Sequence, residues 1–297
     1  MILTIGNFDG VHLGHVELVK RTLELAREKK LRAVALTFNP HPRAVLNIGV
    51  ALELLLTYAE KIEHLKKLGF NEVIEQQFVR EFSNLSAREF FQNYLINKFK
   101  MSGLVVGYDF AFGKDRDGSK QVLASLCAEN KILLVTVPAF EKEGAVISSS
   151  KIRKALIESD LKAANQLLGY TFYYQGVVVK GEQRGRKIGF PTANLPLRDK
   201  IKIPYGVYAT RSIIKDSIFP SVTNIGVRPT FNGLESTVEA TIETHLINQD
   251  IDLYGTNIRV EFLGKIRDEK KFSGIEELKA QIKNDVTSAL RLIESNH

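Results

Sequence analysis

Two stretches of this chain gather reactive side chains and glycines within a few residues of each other. The first is Ile5-Gly6-Asn7-Phe8-Asp9-Gly10-Val11-His12-Leu13-Gly14-His15. An apolar strand, Ile2 to Ile5, runs into a glycine-punctuated turn, and His12 and His15 stand three apart where a helix should begin. A helix start offers free backbone N–H groups and the positive end of the helix dipole, so it favours anions. Imidazole and backbone donors at one junction suit a nucleotide phosphate. The chain has no GxxxxGK[ST] loop. His12, His15 and His41 could instead form a three-histidine zinc site, but the spacing of the first two is not the usual i, i+4 helical pair.

The second stretch runs from Lys180 to Asn194, KGEQRGRKIGFPTAN. Gly181, Gly185 and Gly189 let the backbone approach a ligand closely, while Lys180, Arg184, Arg186 and Lys187 can neutralise phosphates. Thr192 and Asn194 offer hard neutral oxygens one residue apart, which suits a Mg²⁺ also held by substrate phosphates. Without its GFPTAN end, the segment would read as a basic hairpin followed by a proline turn.

The elements around these stretches differ between the two halves. In the first half strands alternate with helices. Val16, Val19, Leu23 and Ala26 predict one apolar helix face, and Ala33 to Phe38 a buried strand. Thr57 with Glu60, and Ser86 with Glu89, form capping boxes that open two helices. Strands are predicted at Leu104 to Val106 and Ile132 to Val137, with a helix over Lys120 to Glu129 between them. Such alternation predicts a Rossmann-like parallel sheet covered by helices on both faces. Ligands of these sheets bind at the carboxyl ends of strands. Asn7 to His15, Phe38 to Arg43 and Gly107 to Gly113 all follow strands in that way.

The pattern changes near residue 169, and with the boundary placed near 165 the chain reads as two domains, 1–165 and 166–297. Ser159 is placed to cap a helix ending at Gly169. Strand-like runs follow at Phe172 to Val179, Gly206 to Arg211, Val238 to Leu246 and Ile258 to Arg267, punctuated by Pro191, Pro196, Pro204, Pro220 and Pro229. They predict a small antiparallel β-barrel. Ser273 and Glu276 form a third capping box for a terminal helix running to about Ile293. On Val238 to Leu246, period-2 alternation separates Glu239, Thr241, Glu243 and His245 from the apolar face.

Composition narrows the class further. The 297 residues, 44% hydrophobic, suffice for ordinary cores. A single cysteine, Cys127, forms no internal disulfide and fits a reducing compartment. The apolar runs are too short to span a bilayer, and the first residues lack a basic leader, so the expectation is a cytoplasmic protein without membrane partners. The net charge of +7 is spread over both halves, which fits anionic small substrates. A nucleic-acid binder should concentrate charge and interleave aromatics, and this chain does neither, so nucleic acid is not expected as a partner. Nothing in the sequence fixes an oligomeric state.

The HLGH spacing after an N-terminal strand resembles the nucleotidylyltransferase superfamily. With it, FNPHPR at 38–43, GYDFAFG at 107–113 and ISSSKIR at 147–153 resemble an FMN adenylyltransferase module. GFPTAN at 189–194 resembles the riboflavin kinase signature, and NIGVRPTF at 224–231, ETH at 243–245, DLYG at 252–255 and RDEKKF at 267–272 resemble its later blocks. Nearly the whole chain is therefore similar to the prokaryotic bifunctional riboflavin kinases/FAD synthetases. That resemblance implies ATP as co-substrate, riboflavin, FMN and FAD as substrates and products, and Mg²⁺, or Mn²⁺ in its place.

The resemblance also implies residue roles. In the kinase half, Glu243 is the catalytic base, and Thr192 and Asn194 hold the metal. Gly181, Arg184, Arg186, Lys187 and Gly189 meet ATP phosphates, and Arg267 and Phe272 meet flavin. In the other half, His12, His15 and Arg153 act on the ATP phosphates, with Gly6, Phe8, Gly14, Ser148, Ser149 and Ser150 around them. Asn7, Asn39, Pro40, Pro42, Asp109, Phe110 and Phe112 line the flavin side. One departure concerns the C-terminal helix: where the family often has Asp-x-x-x-Ala-Arg, this chain has Leu290 after Asp285 and Ala289.

Overall fold

The computed structural model describes residues 1–46, 52–142, 144–181, 184–197, 200–232 and 235–295, without the side chains of 184, 187 and 227–239. The chain divides into two compact units, Met1–Ser149 and Ser150–His297.

The first unit is built on five parallel strands: β1 (Ile2–Ile5), β2 (Ala33–Asn39), β3 (Glu72–Gln77), β4 (Gly103–Gly107) and β5 (Leu133–Val137). Their spatial order is β3-β2-β1-β4-β5. The order reverses beside β1, which pairs in parallel with both β2 and β4. A crevice forms outside the carboxyl ends of strands at such a reversal. The turns after β1, β2 and β4 all leave the sheet at that edge.

Helix α1 spans Leu13–Lys29. Its buried stripe is Leu18, Val19, Thr22, Leu25 and Ala26, shifted from the expected one; Val16 and Leu23 are only partly buried. Thr22 belongs to the stripe because its hydroxyl donates back to Leu18 O at 2.7 Å, which removes the cost of burying it. Helix α2 (Tyr58–Lys67) opens with the expected reciprocal box of Thr57 and Glu60. The Ser86–Glu89 box also forms, but its helix passes into a π-helical run, Phe90–Lys98. Helix α3 (Lys120–Glu129) is capped by Ser119, and α4 spans Ser149–Ile157.

In the second unit α5 (Leu161–Leu168) is capped by Asp160, whose carboxylate accepts from Ala163 N at 3.0 Å, and not by Ser159. The six strands that follow are β6 (Tyr173–Val177), β7 (Ala193–Pro196), β8 (Gly206–Ile214), β9 (Ser217–Asn232), β10 (Glu235–Leu246) and β11 (Asn257–Arg267). They form an antiparallel sheet in the order β6-β11-β8-β9-β10-β7. Val179 N donates to Asn194 O at 2.9 Å, so the chain just past β6 meets β7 and nearly closes a barrel. Sequence reading missed β9 because Pro220 and Pro229 look like punctuation; both are paired within it. Helix α6 spans Ile275–Glu294. Gly274 is its N-cap, so the Ser273–Glu276 spacing falls one residue short. Glu277 instead accepts from Ser273 N and Oγ, at 2.9 and 2.8 Å.

Helix α6 is fixed to the barrel by apolar packing and by one buried ion pair. Leu290 packs with Ala289 against Val207, Ala209, Val222 and Ile247. Arg267 donates to both carboxylate oxygens of Asp285, at 2.8 to 3.2 Å. Asp285 is buried and also accepts from Gln281. Asp285→Ala leaves the guanidinium without its partner and should destabilise the protein by about 3 kcal/mol. Urea unfolding of the full chain followed through the second unit measures this; an unchanged midpoint would mean that the pair does not hold the helix.

Candidate functional sites

The turn after β1 is held in an unusual conformation. Phe8 and Val11 take φ of 49° and 37°, left-handed values that a β-branched residue such as Val11 rarely adopts. Both side chains are buried, and Val11 N donates to Phe8 O at 3.1 Å. Phe8 can therefore offer a ligand only its backbone. Asp9 ties the turn to its surroundings: Oδ1 accepts from Leu55 N at 2.9 Å, and its carbonyl accepts from Ser149 Oγ at 3.0 Å. Of the serine block, Ser149 is thereby tied to this turn.

His12 is the N-cap residue of α1, and its ring stacks on that of His15 with centroids 3.7 Å apart. Gly14 allows the arrangement, because a Cβ there would press on the His12 ring at 3.3 Å. Burial pushes the His12 imidazole down to about 4. His15 is pushed well below its ordinary value by burial, by His12 and by Lys61. Both rings are neutral at pH 7. Among the described residues the Nδ1 atoms of both are buried without a hydrogen-bond partner. An unsatisfied buried nitrogen costs about 1–3 kcal/mol, which a ligand can recover. Among the described residues no group of three His, Cys, Asp or Glu side chains is placed to hold a metal.

The remaining residues proposed from the sequence for this half fall into separate groups. Asn7 is exposed beside the turn, and its carbonyl accepts from Thr37 Oγ1 at 3.2 Å. Asn39 donates to Glu75 at 3.1 Å, Pro40 is exposed, and Pro42 opens a short helix at the end of the next turn. After β4, Asp109 is exposed and Phe110 is half-buried. Phe112, stacked on Phe110, is buried against Phe90 and belongs to the core. Ser150 and Arg153 lie on α4 beyond Ser149, within the second unit.

In the barrel the strand register gathers residues distant in sequence. Glu243 on β10 lies opposite Asn194 on β7 and opposite Asn224 on β9. Cross-strand partners project to the same face, so the carboxylate and two amides form one row. The predicted alternation holds where side chains are described: Ile242, Thr244 and Leu246 are buried, while Glu243 and His245 are half-buried. Asn194 is 6% exposed, and Gly181 lies flat against its amide, where a Cβ would come within 2.6 to 2.8 Å. His245 Nδ1 lies 2.8 Å from Pro191 O and braces the turn carrying Thr192. Arg186, Thr192 and Thr244 line a cavity with Asp250, Asp252 and Tyr254. Glu182 and Gln183, and the side chains of Arg184 and Lys187, lie outside the described residues. Thr192 and Asn194, next to a carboxylate, form a hard-oxygen donor set that fits Mg²⁺ shared with phosphates.

Sequence reasoning missed several residues. One is Glu269, which lies over Gly226 beside the Asn224 amide. Phe272, already proposed from the sequence, sits under Arg267 and Lys270, at 5.7 and 5.4 Å. Asp250 and Tyr254 come to the Thr192 cavity from a loop given no role; the DLYG block was its only signal. Lys61 is buried beside the turns after β1 and β2, in a position that its sequence context would assign to solvent.

Comparison with known proteins matches this two-part arrangement. A family model described as FAD synthetase matches residues 1–151, and one described as riboflavin kinase matches residues 168–293. The bifunctional riboflavin kinase/FMN adenylyltransferase of Escherichia coli (strain K12) is 38% identical over 289 residues, covering 97% of this chain and 91% of that protein. The protein of the same name from Bacillus subtilis (strain 168) is 36% identical over 292 residues, covering 98% and 92%. A crystal structure described as a macrolide-efflux protein from Streptococcus pneumoniae superposes with a TM-score of 0.85 at 32% identity, covering 96% of this chain and 91% of that one. Among the described residues of this chain no helix is long and apolar enough to cross a membrane. Both family models, in this order along one chain, and curated relatives matched over nearly its full length place the protein in the bifunctional riboflavin kinase/FMN adenylyltransferase family.

Proposed function

We propose that the two activities of this family are divided between residues 1–165, which adenylylate FMN, and residues 166–297, which phosphorylate riboflavin, in a cytoplasmic protein acting on small molecules. The chain converts riboflavin and ATP to FMN and ADP, then FMN and ATP to FAD and pyrophosphate. The observation that carries the residue assignment is the row of Asn194, Glu243 and Asn224 beside the glycine-rich phosphate loop.

In the kinase step the ribityl hydroxyl of riboflavin attacks the γ-phosphorus of ATP, the bond to the β-phosphate oxygen breaks, and ADP leaves. Glu243 orients the hydroxyl and takes its proton. Gly181 and the basic residues 184–187 cradle the phosphates, and the 250–254 loop closes the cavity beside them. Thr192 and Asn194 would hold Mg²⁺, or Mn²⁺ in its place; when bound, it neutralises and aligns the triphosphate. Arg267 and Phe272 lie on the flavin side. Glu243→Ala should lower FMN formation at least 100-fold. It should leave conversion of FMN to FAD unchanged. Near-normal FMN formation would remove Glu243 from the mechanism.

In the adenylyl-transfer step an oxygen of the FMN phosphate attacks the α-phosphorus of ATP and pyrophosphate leaves. Because His12 and His15 are neutral, they act as hydrogen-bond donors to the phosphates, and incoming negative charge favours their protonation. Ser148, just before α4, and Ser149, Ser150 and Arg153 on it hold the triphosphate, while Asn7 and the Asn39–Pro42 turn face flavin. The double variant His12→Ala/His15→Ala should form FAD from FMN at least 100-fold more slowly and keep FMN formation from riboflavin. FAD formation at the wild-type rate would overturn this assignment.

A further inference from the structure

The first turn of α2 carries a buried cation that neither reaction step above uses. Lys61 is 4% exposed. Its Nζ donates to Thr37 Oγ1 at 2.9 Å and to Phe38 O at 3.0 Å, and lies 5.1 Å from the centre of the Tyr58 ring. Thr37 Oγ1 in turn donates to Asn7 O at 3.2 Å. The Tyr58 hydroxyl accepts from His41 N at 2.8 Å. One helical turn thus grips the backbone at the carboxyl ends of both β1 and β2, where Asn7 and the Asn39–Pro42 turn begin.

These direct partners are a hydroxyl, a carbonyl and a ring. The titratable groups facing the ammonium are the neutral His15 from α1 and the carboxylates of Asp9, from the turn after β1, and Glu75, from β3. Among the described residues neither carboxylate is paired with it. Burying a cation without a paired anion is costly, so such a site favours an incoming negative charge. Beside His15, that charge is phosphate.

We infer that Lys61 is a positioning residue for adenylyl transfer: its ammonium joins the turns after β1 and β2 and supplies the fixed positive charge next to His15. The inference rests on the adenylyl-transfer reading of the first unit. Burial pushes the Lys61 ammonium down to about 8, with Glu75 and Asp9 opposing the shift. The charge is therefore mostly present at pH 7 and is lost as pH rises through about 8. An arginine at the same place stays charged over the whole range.

The test compares wild type, Lys61→Arg and Lys61→Met as full-length proteins, with FMN, ATP and Mg²⁺ as substrates and riboflavin phosphorylation in the same samples as the control. Wild-type kcat/KM for FAD formation should fall above about pH 8. Lys61→Arg should retain FAD formation at pH 7 and move that alkaline limb upward by more than one pH unit. Lys61→Met should lower FAD formation about ten- to a hundredfold, leave FMN formation unchanged, and raise the His15 imidazole pKa read by NMR. An unmoved limb in Lys61→Arg, or full FAD formation in Lys61→Met, would overturn the inference. If Lys61→Met fails to fold its first unit, the Lys61→Arg limb still decides. Absence of FAD formation in wild type would sink the adenylyl-transfer reading itself, a separate outcome.

Discussion

The stacked imidazoles of His12 and His15, 3.7 Å apart, can exist only while at least one of them is uncharged, and burial keeps both neutral. Much of the first unit serves that constraint. Gly14 makes room for the His12 ring, Phe8 packs edge-on against His15 at 5.4 Å, and the turn between them holds two non-glycine residues at positive φ. Strained backbone persists only where its surroundings over-determine it. Here the sheet below, the Leu55–Asp9 bond and the Ser149–Asp9 bond do so. The result is a stacked pair of neutral rings, neither carrying a charge that would repel its neighbour, which is the arrangement the proposed phosphate site requires.

The barrel meets a similar demand by different means. Its proposed site lies on strand faces, and the placement of those residues comes from register. Pairing of β7, β10 and β9 sets Asn194, Glu243 and Asn224 side by side, and a one-residue slip of β10 would turn Glu243 to the opposite face. Beneath this row the buried hydroxyls of Thr210, Ser212, Ser221, Thr223 and Thr244 bond to one another at 2.8 to 3.0 Å. Satisfied polar contacts of this kind discourage sliding, because any slip leaves donors buried and unpaired. Arg267 and Asp285 then lock the terminal helix to the same barrel.

Features that depend on neighbouring residues were legible in the sequence. The Thr57–Glu60 and Ser86–Glu89 boxes, the alternation around Glu243 and the turns that end β1, β2 and β4 all formed as read. Failures came where a local pattern admitted more than one outcome. Thr22 entered the buried stripe of α1 because its hydroxyl could bond within the helix. Ser273 lost its box because Gly274 took the cap. β9 was hidden by two prolines that a long strand accommodates. Leu290, a departure from the family pattern, proved to be an ordinary packing residue against Val207 and Ile247. Lys61 was illegible for a plainer reason. A lysine in the first turns of an amphipathic helix is usually solvated, and its burial here is set by β2, which precedes it in the chain and offers Thr37 and Phe38 as partners.

The central claim is that two separate sites act in order on one flavin. The most direct measurement is a time course of the purified protein with riboflavin, ATP and Mg²⁺, its flavins separated by chromatography, beside a second reaction started from FMN. The account predicts FMN rising first and then FAD from riboflavin, and FAD with pyrophosphate from FMN alone. FMN that never proceeds to FAD, or riboflavin left unconverted while FMN is adenylylated, would contradict it.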